Sequence, residues 1–157
     1  MIQVLFVCLG NICRSPMAEA VFQAVVDEAG LTAQFHIDSA GTSGWHDGER
    51  AHSGTLDVLR RNGVDYHGRS RQLTLHDIET FDYLLAMDRS NLIDIHRMVG
   101  AVTPKAQLFL QYSHAAGMTP LTEVPDPYYT GGFDEVFELV LLGCTALLDY
   151  IRVTERI

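Results

Sequence analysis

The stretch Val7-Cys8-Leu9-Gly10-Asn11-Ile12-Cys13-Arg14-Ser15-Pro16 constrains the fold more than any other part of the chain. It follows an apolar run, Ile2 to Val7, and leads into a segment with helical periodicity from Met17 to about Ala29, so it reads as strand, tight loop and helix N-terminus. Ser15 suits the N-cap, and Pro16 suits the first helical position, where its missing N–H is not needed. Such a loop aims backbone N–H groups and the positive end of the helix dipole at one small volume, which favours an anion. Cys8 falls at the base of that cradle, where the same field favours thiolate at neutral pH. Arg14 follows at Cys-x5-Arg spacing and supplies a planar fork able to grip two phosphate oxygens. Together these groups fit attack on a bound phosphate monoester.

Each part also has an ordinary reading. A Cys at the end of a buried strand is commonly a small core residue, and a lone Arg is commonly a surface charge. The joint Cys-x5-Arg-Ser spacing, between a strand and a helix opened by Pro16, argues against both. Zinc is a weaker reading, because Cys8 and Cys13 lack a second Cys or His pair at ligand spacing. A nucleotide-binding loop is excluded because Gly10 is not followed by Gly-Lys-Ser/Thr. No metal and no cofactor are expected.

At 157 residues and 47% apolar content, the chain reads as one domain, residues 1–157, with a sizeable core. A net charge of −9 argues against nucleic acid and anionic membranes as partners, so attraction for a phosphate has to be local. No run is long enough for membrane insertion, and the first residues lack a signal-peptide pattern. Three cysteines, an odd count, fit a reducing compartment better than a disulfide framework, and a cytoplasmic protein is expected.

Taken in order, Ile2 to Val7 has Gln3 as its only polar member, which suits a strand covered on both faces of a parallel sheet. In the first helix, Met17, Ala20, Val21, Ala24 and Val25 share a face, and Gly30 is placed to end it. Glu19 lies one turn in, where an exposed helix-start carboxylate is the simplest expectation. Phe35 to Ala40 is a second strand, and Gly41 to Glu49 a loop holding the single Trp45, either a cleft wall or a residue tucked on the core. Ala51 to Asn62 reads as a helix closed by Gly63, and the basic segment His67 to Gln72 as a solvated loop. A polar turn around His76 to Glu79 precedes a third strand, Phe81 to Met87. Asp88 then caps a helix, Arg89 to about Val99, and Ala106 to Leu110 is a fourth strand. Alternating strands and helices predict an α/β domain. In such sheets, ligands bind beyond the carboxyl ends of the strands.

Gly117 to Gly132 reads as an unusually long loop, and long loops of this kind are often functional. At its centre, Pro125 and Pro127 hold Asp126 in a stiff, extended segment, suited to presenting a carboxyl at a fixed place; the plain alternative is an Asp-Pro turn beside two surface tyrosines. Phe133, Val136, Phe137, Val140, Leu141, Cys144, Leu147, Leu148 and Ile151 trace one face of a long closing helix.

Over nearly its whole length the chain resembles the low-molecular-weight protein tyrosine phosphatases. The resemblance rests on Val7 to Pro16, Asp38-Ser39-Ala40-Gly41-Thr42, Ala86-Met87-Asp88 and Asp126-Pro127-Tyr128-Tyr129. It implies a single-domain three-layer sandwich with a central four-stranded parallel sheet flanked by helices on both faces. It implies Cys8 as nucleophile forming a phosphocysteine, Arg14 on the equatorial phosphoryl oxygens, and Asp126 as general acid and then general base. Leu9, Gly10, Asn11, Ile12, Cys13 and Ser15 would form the phosphate loop, with Ser15 hydrogen-bonded to the Cys8 sulfur. Asn11 would hold the loop in a strained shape, helped by Ser39 and by a Glu19–His67 contact. Leu9, Ile12, Trp45, Tyr128 and Tyr129 would wall a slot deep enough to admit phosphotyrosine but not the shorter phosphoserine. Family members acting on phosphoarginine carry a threonine at the position of Ile12, so Ile12 favours tyrosine. Cys13 would form a protective disulfide with Cys8 under peroxide.

The implied partners are a phosphotyrosine-containing protein and, in the loop, inorganic phosphate or another oxyanion; the chain would act as a monomer or weak dimer. An arsenate reductase shares the Cys-x5-Arg loop but needs two further central cysteines, and none lies between Cys13 and Cys144. A silent anion-binding protein would be favoured if Cys8, Arg14 or Asp126 were missing, and all three are present.

Overall fold

Every side chain in the middle of the first strand is buried, and this decides the architecture. In β1 (Ile2–Cys8), Val4, Phe6 and Cys8 belong to one apolar cluster, while Leu5 and Val7 belong to another. Alternating side chains of a strand point to opposite faces, so both faces of β1 must be covered. The computed structural model, which describes residues 1–157, satisfies this with a parallel sheet ordered β2-β1-β3-β4. The partners are β2 (Phe35–Gly41), β3 (Tyr83–Ala86) and β4 (Ala106–Leu108). Helices α1 (Arg14–Glu28) and α7 (Phe133–Glu155) pack on the Phe6 side, joined by α2 (Ser53–Arg61) and α5 (Gln111–Ala115). On the Leu5 side, Ile78 of α3 (Leu75–Thr80) and Ile95 of α4 (Arg89–Val99) complete the second cluster. The expected three-layer α/β sandwich is the fold that forms. No helix is long and apolar enough to cross a membrane.

On the larger core, Phe6 makes edge-on contacts with Phe22 and Phe109 at ring separations of 5.6 and 5.4 Å. α7 approaches closely at Gly143, where an added Cβ would stand 2.6 Å from Phe109 Cζ. The stripe expected on α7 is buried from Val136 onward, with Phe133 only partly buried, Leu141 exposed and Leu139 taking part instead. Cys144 is fully buried within it.

The chain leaves β1 for β2 on one side and comes back to β3 on the other, so a crevice opens at the carboxyl ends of β1 and β3. Cys8 is the last residue of β1.

Several local expectations need correction. α1 starts at Arg14, with Cys13 as its N-cap and no capping side chain, so Pro16 is the third helical residue and Ser15 does not cap. The Ser15 hydroxyl is engaged by Cys8 and Asn11 instead, and the first N–H groups of the helix are left for the loop. The turn expected around His76 is helix α3, begun by a reciprocal box in which Thr74 and Asp77 cap each other's backbone. β3 and β4 are shorter than their apolar runs, and the long loop contains one helical turn, α6 (Pro127–Thr130). Asp88 caps α4 as expected, its Oδ1 accepting from Asn91 N at 2.8 Å.

Candidate active site

The loop after β1 wraps the Cys8 sulfur. Asn11 N donates to Sγ at 3.3 Å, and the Ser15 hydroxyl lies 3.0 Å from it. Asn11 is buried and sits at φ +55°, the left-handed conformation in which Asn is among the more tolerated side chains. Its Oδ1 accepts the Arg71 backbone N–H at 3.0 Å, which fixes the amide orientation. Nδ2 therefore donates both its protons, to Ser15 Oγ at 2.8 Å and to Ser39 Oγ at 2.9 Å. The donor count then settles two hydroxyls. The Ser15 proton is left for the Cys8 sulfur, and the Ser39 proton goes to Glu19 Oε1 at 2.6 Å.

Glu19 ends this relay on the first turns of α1, half-buried, not an exposed helix-start carboxylate. The Glu19–His67 contact implied by the resemblance does not form. Tyr66 OH reaches Glu19 Oε1 at 3.1 Å in its place, and His67 lies exposed along a separate groove with Arg50 and Asp57. That groove, about 690 Å³, is larger than the cleft at Cys8 but has no cysteine in its lining. Burial pushes the Glu19 carboxyl up to about 7; the Asp38 charge adds to this, while hydrogen bonds from Ser39 and Tyr66 and the charge of Arg71 oppose it.

The segment read as a solvated basic loop is part of the scaffold. Ser70 Oγ donates to Gly10 O at 3.0 Å, and Arg71 spans Asp38 Oδ2 at 3.0 Å and Asp77 Oδ2 at 2.9 Å. These contacts tie the loop after β1 to β2 and α3. The alternation of polar and basic residues there gave no sign of them.

Arg14 is almost wholly buried at the start of α1. Its Nη1 spends both protons, on Asp88 Oδ2 at 2.7 Å and Val124 O at 2.9 Å, while Nη2 lies 3.5 Å from Asp126 Oδ2. Asp88 thus has two roles, one oxygen capping α4 and the other holding the guanidinium. Capping alone explained it in the sequence; its place just beyond the carboxyl end of β3, next to β1, was the available signal. Asp126 has extended backbone (φ −87°, ψ 108°) and caps α6 through Oδ1 to Tyr128 N at 3.1 Å. Val124 N, hydrogen-bonded to Met87 O at 2.8 Å, anchors this segment to the end of β3.

The cleft above Cys8 is lined by Leu9, Gly10, Ile12, Cys13, Arg14, Asp126, Tyr128 and Tyr129. Its volume is about 50 Å³, room for one small oxyanion on a scale of ~10–15 Å³ per water. Trp45 is neither a wall nor a core residue: it is 88% exposed and outside the lining. Its neighbour His46 lines the cleft, held by Glu49 at 2.7 Å and packed over Gly10, where an added Cβ would meet His46 Cδ2 at 3.0 Å. Burial pushes the Cys13 thiol up to about 12, with the charges of Asp126 and Cys8 adding to the effect. All three cysteines are free.

Residues 3–156 match the family model described as low molecular weight phosphotyrosine protein phosphatase. Over 154 residues the chain is 46% identical to the low molecular weight protein-tyrosine-phosphatase YfkJ of Bacillus subtilis, covering 97% of each chain. The crystal structure of that protein superposes with a TM-score of 0.93 over 98% of this chain and 96% of its own. A Schizosaccharomyces pombe low molecular weight phosphotyrosine protein phosphatase is 49% identical over 87% of this chain and 88% of its own. A drosophila arginine phosphatase, 32% identical, superposes with a TM-score of 0.85 over 97% of this chain and 98% of its own. With a hydrogen-bonded sulfur, a buried arginine and an aspartate sharing one cleft, and with matches that run almost from end to end, the chain belongs to the low molecular weight phosphotyrosine protein phosphatase family.

Proposed function

We propose that this protein hydrolyses phosphotyrosine on proteins, and aryl phosphates generally, through a phosphocysteine on Cys8. The observation that carries the reading is the Cys8 sulfur with two hydrogen-bond partners, facing the same cleft as Arg14 and Asp126. In the first step, the Cys8 thiolate attacks phosphorus in line with the departing phenolate, and Asp126 donates its proton to the phenolate oxygen. Arg14 has one Nη2 proton and its Nε–H beyond the contacts to Asp88, Val124 and Asp126, and these serve the equatorial oxygens as their charge is redistributed. Loop N–H groups at the uncapped start of α1 act with it. In the second step, Asp126, now a carboxylate, takes a proton from water as that water attacks phosphorus. The sulfur leaves as thiolate, and the Ser15 proton directed at it eases departure.

The substrate reading rests on the walls. Leu9, Ile12, Tyr128 and Tyr129 line the same cleft as the Cys8 sulfur and offer apolar surface for a phenyl ring. The drosophila arginine phosphatase makes phosphoarginine the natural competitor, and Ile12 favours tyrosine. Action in a reducing cytoplasm, as a monomer or weak dimer, belongs to the same reading and fits three free cysteines. Reversible oxidation extends it. Peroxide converts the Cys8 thiolate to a sulfenic acid, and the Cys13 thiol condenses with it, forming the disulfide and releasing water.

Steady-state assays on aryl phosphates test the mechanism: Cys8→Ser abolishes turnover, and Asp126→Ala lowers kcat by about 10²–10³-fold. Equal rates in all three proteins would rule it out. Peptide mapping after peroxide treatment is expected to show a Cys8–Cys13 disulfide and thiol-restored activity; irreversible loss without that bond would contradict the oxidation scheme. Glu19 sets a stability profile. Its folded value of about 7 exceeds the ordinary 4.5, so the folded protein binds the extra proton between these limits and loses stability as pH rises from 4.5 to 7. In urea titrations, Glu19→Gln is expected to remove roughly 1–3 kcal/mol of that decline. An unchanged slope would show that Glu19 does not titrate in this window.

A further inference from the structure

His52 stands where three parts of the site meet. Its backbone N–H donates to Ile12 O of the phosphate loop at 2.7 Å, and it occupies the N-cap of α2, where Nδ1 accepts from Gly54 N at 2.9 Å. That bond places the proton of the neutral ring on Nε2. The ring faces the other way, toward the acid-bearing loop. It stacks on Phe133 at 5.0 Å with planes 21° apart, and it meets Tyr128 edge-on at 6.0 Å. Tyr128 in turn meets Tyr129 edge-on at 5.2 Å.

Phe133 and Tyr128 bracket the turn that Asp126 begins. Tyr128 N is the group that Asp126 Oδ1 accepts from, and Phe133 N, the first of α7, donates to Gly131 O at 2.7 Å. Elsewhere Asp126 is held by long contacts: Arg14 Nη2 is 3.5 Å away, and Tyr129 N and Thr130 Oγ1 each donate to the Asp126 carbonyl at 3.3 Å. Tyr128 is 53% exposed and Tyr129 75% exposed, so solvent, not protein, covers the outer side of the turn. Gly54 completes the inner side. An added Cβ there would lie 2.6 Å from Phe133 Cε2 and Cζ, so the Phe133 ring rests on the first turn of α2. Thr55 Oγ1, one residue on, donates to Cys13 O at 3.2 Å. Residues 52–55 therefore grip the phosphate loop by polar contacts and the acid loop by ring packing.

We propose that His52, through its stack on Phe133 and Tyr128, is a positioning residue that sets the reach of Asp126 to the leaving-group oxygen. The proposal rests on the phosphatase reading. Stacked and edge-on ring contacts are favourable beyond the area they bury and prefer particular geometries, so they can hold a loop in place. Misplacing a catalytic group by about 1 Å can cost on the order of 100-fold. A fault confined to the acid falls on esters whose leaving group needs a proton and spares those whose anion is stable. A fault in the phosphate loop falls on both alike.

The test measures kcat/KM for phenyl phosphate and for p-nitrophenyl phosphate, with inhibition by inorganic phosphate as a separate reading of the phosphate loop. Asp126→Ala sets the full acid-loss signature. His52→Asn keeps an N-cap side chain but removes the ring, and His52→Phe keeps a ring but removes the cap. In His52→Asn, phenyl phosphate is expected to lose at least about tenfold and p-nitrophenyl phosphate about threefold or less, with phosphate inhibition within about twofold of the parent; a general acid contributes about 10²–10⁴-fold in all. His52→Phe restores most of the phenyl phosphate rate. Equal losses on the two esters, no loss on either, or rescue by Asn and not by Phe would each overturn the proposal. No turnover by the parent protein would overturn the phosphatase reading itself, and the proposal with it.

Discussion

Everything at the site depends on one buried amide. Asn11 holds the left-handed bend of the loop after β1, and its side chain meets Arg71 N, Ser15 and Ser39 at once. Because a backbone N–H fixes the acceptor end, both amide protons go outward, and the two serine hydroxyls have no freedom left. One proton is committed to the Cys8 sulfur and the other to Glu19. Low-dielectric surroundings make such a fully satisfied network rigid, and any single vacancy in it costly. The bend that a β-branched residue could hardly adopt is thereby stabilised on three sides.

The sheet supplies the place and the charges supply the tension. Parallel strands on both sides of β1 bring Cys8, Asp88 and the Val124 anchor to one edge, although they are far apart in sequence. Arg14 enters a buried setting only because Asp88 and the Val124 carbonyl satisfy it, in a chain whose overall charge is −9. That overall charge repels anionic ligands at long range. On the proposed reading, phosphate affinity has to come from the guanidinium and the loop amides at contact distance, where water screens least.

Much of this was legible from residue types and spacing. The continuous apolar run of β1 announced a doubly covered sheet, Cys8 and Arg14 share one cleft as the motif spacing led one to expect, and Asp126 joins them there as the family resemblance implied. What escaped was whatever depended on which of two neighbours turned inward. Tyr66, not His67, reaches Glu19, and His46, not Trp45, lines the cleft; in irregular segments no periodicity says which side chain faces the site. Ser15 looked like a cap because local sequence favours caps, but a tertiary bond to the sulfur claimed its hydroxyl. Asp88 was hidden behind a sufficient local role, and the structure gives its second oxygen a partner distant in the chain.

The claim at the centre is a covalent phosphoryl group on Cys8. Asp126→Ala should form the intermediate from p-nitrophenyl phosphate, whose leaving group needs no acid, and hydrolyse it slowly for want of a base. Rapid quenching during turnover, followed by peptide mass spectrometry, reads it directly. The account predicts one phosphoryl group on the peptide containing Cys8, absent in Cys8→Ser. Continued turnover with no adduct on Cys8, or an adduct on another residue, would contradict it.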